Sequence, residues 1–298
     1  METKEELLEN NTAVKVEKSC CAPSCCGGDK SSVAETQNPN EIKEIVKEKY
    51  SEIAKKENVS GCCGTSNKVI DYTIFSDDYT KLDGYVADAD LGLGCGMPTE
   101  YAGIKKGDTV LDLGSGAGND IFVARSLTGP EGKLIGVDFT EEMIAKANKN
   151  KQKTGFTNVD FRLGEIEEMP VDSNSVDVVI SNCVLNLVPN KNKAFAEIYR
   201  VLKPGAHFCV SDVVLKGELP EGLKKSAAMY AGCVSGAMQM DEYVDVIKKT
   251  GFKNVEIKKS KTINLPDEVL EEFLSEGEIK EFRKNDIGIF SITVVAHK

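Results

Sequence analysis

Three cysteines stand apart from the rest of the chain, each among small residues: Gly94-Cys95-Gly96, Ser181-Asn182-Cys183 and Gly232-Cys233-Val234. A thiolate is both a strong nucleophile and a soft ligand. A second feature lies between the first two, the glycine loop Val110-Leu-Asp-Leu-Gly-Ser-Gly-Ala-Gly-Asn119. Glycines that follow a buried strand and open a helix let the backbone approach a ligand at the helix N-terminus. The loop reads as a site for a nucleoside cofactor, and the cysteines as the place where that cofactor's substrate would sit.

The remaining cysteines divide into two kinds. Six of the ten form the adjacent pairs Cys20-Cys21, Cys25-Cys26 and Cys62-Cys63. Neighbouring Cα atoms about 3.8 Å apart lie below the usual disulfide range, so such pairs serve better as soft-ion ligands or redox partners of a third thiol. Cys209 lies mid-strand between Phe208 and Val210 and reads as core. The net charge of −11 excludes nucleic acid as a partner, because phosphate binding needs a basic surface. No apolar run approaches the ~20 residues that span a bilayer, so no membrane contact is expected. The charged N-terminus lacks an apolar signal core, which places the expected location in the cytoplasm. A monomer is expected.

The elements that must position these residues follow from hydrophobic periodicity. Residues 1–40 read as a flexible cysteine-containing tail, and 41–106 as an N-terminal cap that carries Cys62, Cys63 and Cys95. Within the cap, one helix is predicted from Asn40 to about Glu57. Residues 107–215 read as the cofactor-binding core. Its predicted strands are Thr109–Leu113, Lys133–Asp138, Val159–Leu163, Val176–Ser181 and Ala206–Val214. Its helices are Asn119–Leu127, Glu141–Lys153 and Lys191–Leu202, the last stopped by Lys203-Pro204-Gly205. Such alternation specifies an α/β fold with a mostly parallel, doubly wound, Rossmann-like sheet. Residues 216–298 read as an insert around Cys233, a helix Asp241–Thr250, and strands Lys253–Lys258 and Ile287–Ala296 that close the sheet as an antiparallel, hairpin-like edge.

The cofactor is narrowed by charge. A dinucleotide needs a pyrophosphate cradle, whereas Asp112 stands two residues before Gly114 and would repel one. A carboxylate there suits a cationic amino-acid end, as in S-adenosyl-L-methionine. Gly114, Gly116 and Gly118 form the loop; Asp138, twenty residues after Gly118, can accept ribose hydroxyls. Glu165 and Ile166 after the third strand, with Met143, are candidates for the adenine, and Asn182 completes the set.

Residues 107–215 resemble the class I S-adenosylmethionine methyltransferases, through the glycine loop, Asp138 and Arg200-Val-Leu-Lys-Pro-Gly205. Within that superfamily the chain resembles the arsenite methyltransferases over about residues 40–298. The resemblance is carried by Leu91-Gly-Leu-Gly-Cys-Gly-Met-Pro98, Ser181-Asn-Cys-Val-Leu-Asn-Leu187 and Ala231-Gly-Cys-Val-Ser-Gly-Ala237. It implies trivalent arsenic, as arsenite and then methylarsenite, bound by Cys95, Cys183 and Cys233. It implies a redox partner for Cys95 at Cys62 or Cys63, and a thiol reductant of thioredoxin or glutathione type. Some relatives carry an aromatic residue where Leu93 stands here. Methylation of an organic substrate, or thiol-based sequestration without a cofactor, are the competing readings. The first predicts that Cys183→Ser and Cys233→Ser stay active; the second predicts no S-adenosylmethionine binding.

Overall fold

The computed structural model describes residues 38–55, 77–224, 233–234, 236–284 and 288–298. The expectations for Cys20, Cys21, Cys25, Cys26, Cys62 and Cys63 lie outside the described residues.

The central sheet is built from β1 (Thr109–Leu113), β2 (Lys133–Asp138), β3 (Val159–Leu163), β4 (Val176–Asn182), β5 (Leu202–Lys216), β6 (Met238–Gln239), β7 (Lys253–Ile263) and β8 (Gly288–His297). Its order is β3-β2-β1-β4-β5-β8-β7, with β6 paired to the far end of β5. The pairs from β3 to β5 are parallel, and β8 lies antiparallel between β5 and β7. The two last strands thus close the sheet, but they are not a tight hairpin. Two helices, Asp267–Leu270 and Glu276–Lys284, which periodicity did not reveal, separate them.

Alternate residues along β1 face opposite cores. Leu111 and Leu113 pack with Phe195, Ile198 and Tyr243; Val110 packs with Ile121, Phe122 and Ala147. These partners come from helices on the two faces: α3 (Asn119–Thr128) and α4 (Glu141–Thr154) on one, α5 (Lys191–Val201) and α7 (Met240–Thr250) on the other. The short helices α2 (Pro98–Tyr101) and α6 (Glu221–Lys224) complete the numbering up to α7. In α4 the acids Glu141 and Glu142 open the helix, Lys151 and Lys153 close it, and Gly155 ends it at φ 70°. That arrangement complements the helix dipole and supplies a left-handed cap.

Several boundaries differ from their expectations, most of all at β5, which begins at Leu202 rather than Ala206, and at β7, which runs on to Ile263 rather than Lys258. Helix α5 ends at Val201, and β5 pairs with Val176 from Leu202 onward, so Pro204 and Gly205 lie in a bulged start of the strand. The N-terminal helix α1 (Pro39–Lys55) packs on α4, held by Ser51 and Lys55 on Glu142. No described helix is long and apolar enough to cross a membrane.

Candidate active site

The parallel strands point their carboxyl ends at one edge, and the order reverses between β1 and β4. Ligands bind at such a reversal. There β1 runs into the glycine turn, with φ of 65°, 51° and 98° at Gly114, Gly116 and Gly118. A side chain at Gly114 would meet Val184 at 2.6 Å, so glycine is required where the turn passes the segment after β4. Beside the turn opens a cavity of about 1220 Å³, counted to its solvent mouth. Asp112, Asp138, Met143, Glu165, Ile166 and Asn182 all line it, as do Gly114 and Gly116. Gly118 instead packs against Phe122 and Phe161.

The cavity is acidic. Asp112, Asp120 and Asp138 are buried on its wall. Burial pushes the Asp112 carboxyl well above its ordinary range, and the charges of Asp120 and Asp138 push it further. Burial likewise raises Asp120 to about 6, against hydrogen bonds from Asn182 and Tyr79. Asp138 is raised by burial and eased by the Thr140 and Gly116 backbone N–H groups, which donate to it at 2.8 and 3.0 Å. Ser115 Oγ and Asn119 Oδ1, also on the wall, are buried without a partner among the described residues. Burial disfavours the charged carboxylates, so a cation and polar hydrogen-bonding groups are what this wall calls for.

The roof was not legible in the sequence. Helix α1 supplies Lys43, Val46 and Tyr50 to the lining. Lys43 pairs with both Glu165 and Glu167, which fastens the helix over the loop after β3. Glu165 is therefore half-exposed and engaged by Lys43. Met143 and Ile166 supply apolar wall.

The three isolated cysteines come together next to this cavity, in one buried apolar cluster with Leu187, Val213, Leu215, Val234 and Ile289. Cys95 precedes α2 and donates its backbone N–H to Asn182 Oδ1 at 3.0 Å, while its carbonyl accepts from Ser291 Oγ. Cys183 follows β4 and donates its backbone N–H to the Ser211 carbonyl at 2.7 Å. Cys233 precedes β6, and its thiol donates to the Cys183 carbonyl at 2.9 Å. Hydrogen bonding to Cys233 and then to Cys95 holds the Cys183 thiol well above its usual range; burial adds to this. Burial is the main cause of the rise at Cys95.

Two of these cysteines carry backbone strain. Cys183 and Cys233 have φ of 61° and 65°; among the described non-glycine residues only two asparagines, Asn174 and Asn254, share that region. Cysteine lacks the local side-chain bonds that let asparagine tolerate it, so both positions cost roughly 1 kcal/mol. Among the described residues no three His, Cys, Asp or Glu side chains already form an ion-holding group. The three thiols are neighbours in the cluster, with Cys95 and Cys183 held protonated and the Cys233 thiol spent on the Cys183 carbonyl. Cys209, by contrast, sits in the core on the other face of the sheet, its thiol donating to the Pro98 carbonyl at 3.2 Å.

Both histidines lie at the opposite end of the sheet. His207 pairs with Val178 and Asn182 with Ser211, a separation of about 13 Å along the strand. His297 pairs with His207. No imidazole therefore reaches the thiols. The side chains of Tyr79 and Asp120 were also missed in the sequence; Asp120 lies in the glycine motif, but Tyr79 carries no local signal.

A parallel sheet with a reversed order, an antiparallel strand beyond β5 and an acid-lined cavity at its carboxyl edge define a class I methyltransferase. Residues 104–251 match the family model described as a methyltransferase domain. The arsenite methyltransferase of Halobacterium salinarum is 38% identical over 284 residues, covering 91% of this chain and 70% of that protein. The human arsenite methyltransferase is 36% identical over 176 residues, 56% of this chain and 47% of that protein. Among solved structures, an arsenic(III) S-adenosylmethionine methyltransferase from Chlamydomonas reinhardtii superposes with a TM-score of 0.59 at 33% identity, covering 69% of this chain and 67% of that one. The chain belongs to the arsenite methyltransferase family.

Proposed function

We propose that this protein transfers methyl groups from S-adenosylmethionine to trivalent arsenic held by Cys95, Cys183 and Cys233. The observation that carries the reading is the burial of these three thiols together beside the acidic cavity, two of them on strained backbone. The cavity suits the cofactor: its buried carboxylates meet a cation, and Ser115 Oγ and Asn119 Oδ1 offer unused hydrogen-bonding capacity. Bound there, S-adenosylmethionine supplies an electrophilic methyl carbon on a positively charged sulfur. Asp138 would hold the ribose, and Met143 and Ile166 the adenine.

The chain's own part begins with protonated thiols. Arsenous acid carries three hydroxyls, and three thiols condense with it to give three As–S bonds and three waters. Each departing hydroxide takes the proton of the thiol that replaces it, so no general base is required, in keeping with the distant histidines. The Cys233 thiol must leave the Cys183 carbonyl as it binds. The surrounding leucines and valines exclude water and leave arsenic's lone pair as the nucleophile. Catalysis is then mainly positioning, with reacting atoms in line and roughly 3–3.5 Å apart.

Methylation of the lone pair raises arsenic formally from trivalent to pentavalent. The Cys62 or Cys63 thiol is the proposed attacker on the arsenic-bound sulfur of Cys95: the S–S bond forms, the As–S bond breaks, its electron pair restores trivalent arsenic, and the attacking thiol's proton leaves to solvent. A thioredoxin- or glutathione-like donor would reduce the resulting disulfide. We place this chemistry in the cytoplasm, on a monomer.

The test is incubation of the protein with arsenite, S-adenosylmethionine and a thiol reductant, with arsenic speciation by chromatography. Methylated arsenic is expected. Its absence while the cofactor is bound would overturn the proposal.

A further inference from the structure

A single hydrogen-bonded chain of side chains joins the cofactor cavity to the loop that carries the first thiol. It starts at Asp120, in the first turn of α3, whose carboxylate lies on the cavity wall. Tyr79 O–H lies 2.8 Å from Asp120 Oδ1 and 3.0 Å from the Gly96 carbonyl. Asn182 Nδ2 lies 2.8 Å from the Gly96 carbonyl, 2.9 Å from Tyr79 O and 3.2 Å from Asp120 Oδ2. The other end of the same carboxamide, Oδ1, accepts the Cys95 backbone N–H. Asn182 thereby grips the Cys95 loop on both sides of the cysteine, and it is itself the residue before Cys183.

The fit is tight. A side chain at Gly94 would lie 2.6 Å from Asn182 Nδ2, and one at Gly96 would lie 2.6 Å from Ser211 Oγ. The loop therefore tolerates little displacement of the carboxamide. The direction of the carboxamide matters too. Reversed, it would set Nδ2 against the Cys95 N–H, two donors facing each other, and free the loop. The observed direction is selected by two acceptors that Nδ2 reaches, the Gly96 carbonyl and Asp120, and Asp120 also takes the Tyr79 O–H. Three hydrogens, one on Tyr79 and two on Asn182, face four acceptors, the two Asp120 oxygens, the Gly96 carbonyl and the Tyr79 oxygen, so with Asp120 ionised every donor finds a partner. Burial keeps the Tyr79 phenol protonated, its range pushed well up, as the network needs.

We propose that Tyr79, Asp120 and Asn182 couple the two sites: a cation seated on the acidic wall fixes Asp120 as acceptor, which orients Asn182 and sets the Cys95 loop for arsenic. By linkage, arsenic on the thiols must favour the cofactor by the same factor. The coupling rests on the thiol trio being the arsenic site. Tyr79 and Asn182 act here as positioning residues.

The experiment uses the full chain and sinefungin, an unreactive cofactor analogue whose amine replaces the sulfonium methyl. Its affinity is measured by calorimetry with and without arsenite in a non-thiol reductant. Protection of Cys183 from alkylation, read by mass spectrometry, shows whether arsenite is on the thiols. In the parent protein arsenite should tighten sinefungin about fivefold or more. In Tyr79→Phe, confirmed folded by circular dichroism, the ratio should fall to within about twofold of one, whatever the two separate affinities become. Should that variant not fold, Asp120→Asn, which places a donor where the carboxylate accepts, carries the same expectation. A ratio unchanged in the variant, or a ratio of one in the parent with Cys183 protected, overturns the coupling. Absence of protection in the parent overturns the arsenic site itself.

Discussion

The acidic cavity and the thiol pocket share a wall but are built in opposite ways. Asp112, the three glycines and Asp120 all fall within one strand–turn–helix unit, and Asp138 comes from the next strand. The glycine turn and its acids are set within those neighbours, although the roof and far wall come from α1, the loop after β3 and Asn182. The thiols come from a loop before β1, a turn after β4 and a loop before β6, and no two of them are closer than fifty residues in sequence. Their meeting needs the finished sheet, with Ser211 on β5 holding Cys183 and Ser291 on β8 holding Cys95. The cavity opens to solvent and favours cations. The thiols are buried in an apolar cluster, and Cys183 alone of the three reaches the cavity wall. One half is made by local propensity, the other by long-range closure and strained backbone.

If the halves are chemically distinct, single changes should separate them. The largest effect is expected for Cys183→Ser. Partners beyond the ligand sphere of a bound ion are worth roughly 10–100-fold, so loss of a direct ligand should cost more than ~100-fold in arsenite methylation. Sinefungin affinity in the absence of arsenite should stay within about threefold, by calorimetry. Asp138→Ala should give the reverse. It removes a charged acceptor, an effect of about 1.5–3 kcal/mol, or roughly 10- to 100-fold in cofactor affinity, while arsenite still protects Cys183 from alkylation. Parallel loss of both affinities in either variant would merge the two sites into one.

The contrast also explains what could be read from the chain. Strands β1 to β4 begin at the residues that periodicity named: β1, β2 and β4 are largely apolar runs buried inside the sheet, and the edge strand β3 alternates apolar with charged residues. The glycine turn and Asp138 were legible for the same local reason. Their positive φ values and backbone bonds are set within a few residues. The thiol trio was recognised from motif resemblance; neither spacing nor composition places Cys233 against the Cys183 carbonyl. Tyr79 was illegible because its role depends on Asn182, 103 residues away. Two short helices between β7 and β8 escaped notice because each is only a turn or two of charged sequence, Asp267–Leu270 and Glu276–Lys284.

A smaller effect comes from pH and enters through the cavity acid Asp120. Asp120 titrates at about 6, above its ordinary 3.8, because it is buried. A cationic ligand binds the ionised acid, so S-adenosylmethionine affinity should fall as pH drops through about 6, by up to about tenfold per unit. S-adenosylhomocysteine lacks the sulfonium charge and should respond less. Stability follows the opposite sign. The folded value exceeds the unfolded one, so Asp120's contribution is fully present below about 3.8 and is lost as pH rises through about 6. The ligand-free protein should lose that part of its melting temperature across this window, and a cationic ligand should restore it at higher pH. Calorimetric titrations and melts at pH 5 and pH 8 check both signs.

The smallest effect sharpens the comparison most, because it concerns a fourth thiol. Cys209 pairs with Ile180 on the neighbouring strand, two residues before Ser211, whose carbonyl holds Cys183. It is buried as completely as Cys95. Burial alone therefore does not make a cysteine part of the proposed arsenic site. Cys209 lies in the core shared with Val110, Ile121 and Val295, spends its hydrogen on the Pro98 carbonyl, and sits on regular strand backbone. Cys209→Ala should cost about 1 kcal/mol of stability through a small cavity and lower the melting temperature by about 2–4 °C. The methylation rate and the protection of Cys183 by arsenite should stay within about twofold. A loss as large as that of Cys183→Ser would mean that the sheet's two faces share one thiol site, and that the left-handed turns at Cys183 and Cys233 are not what sets the reactive thiols apart.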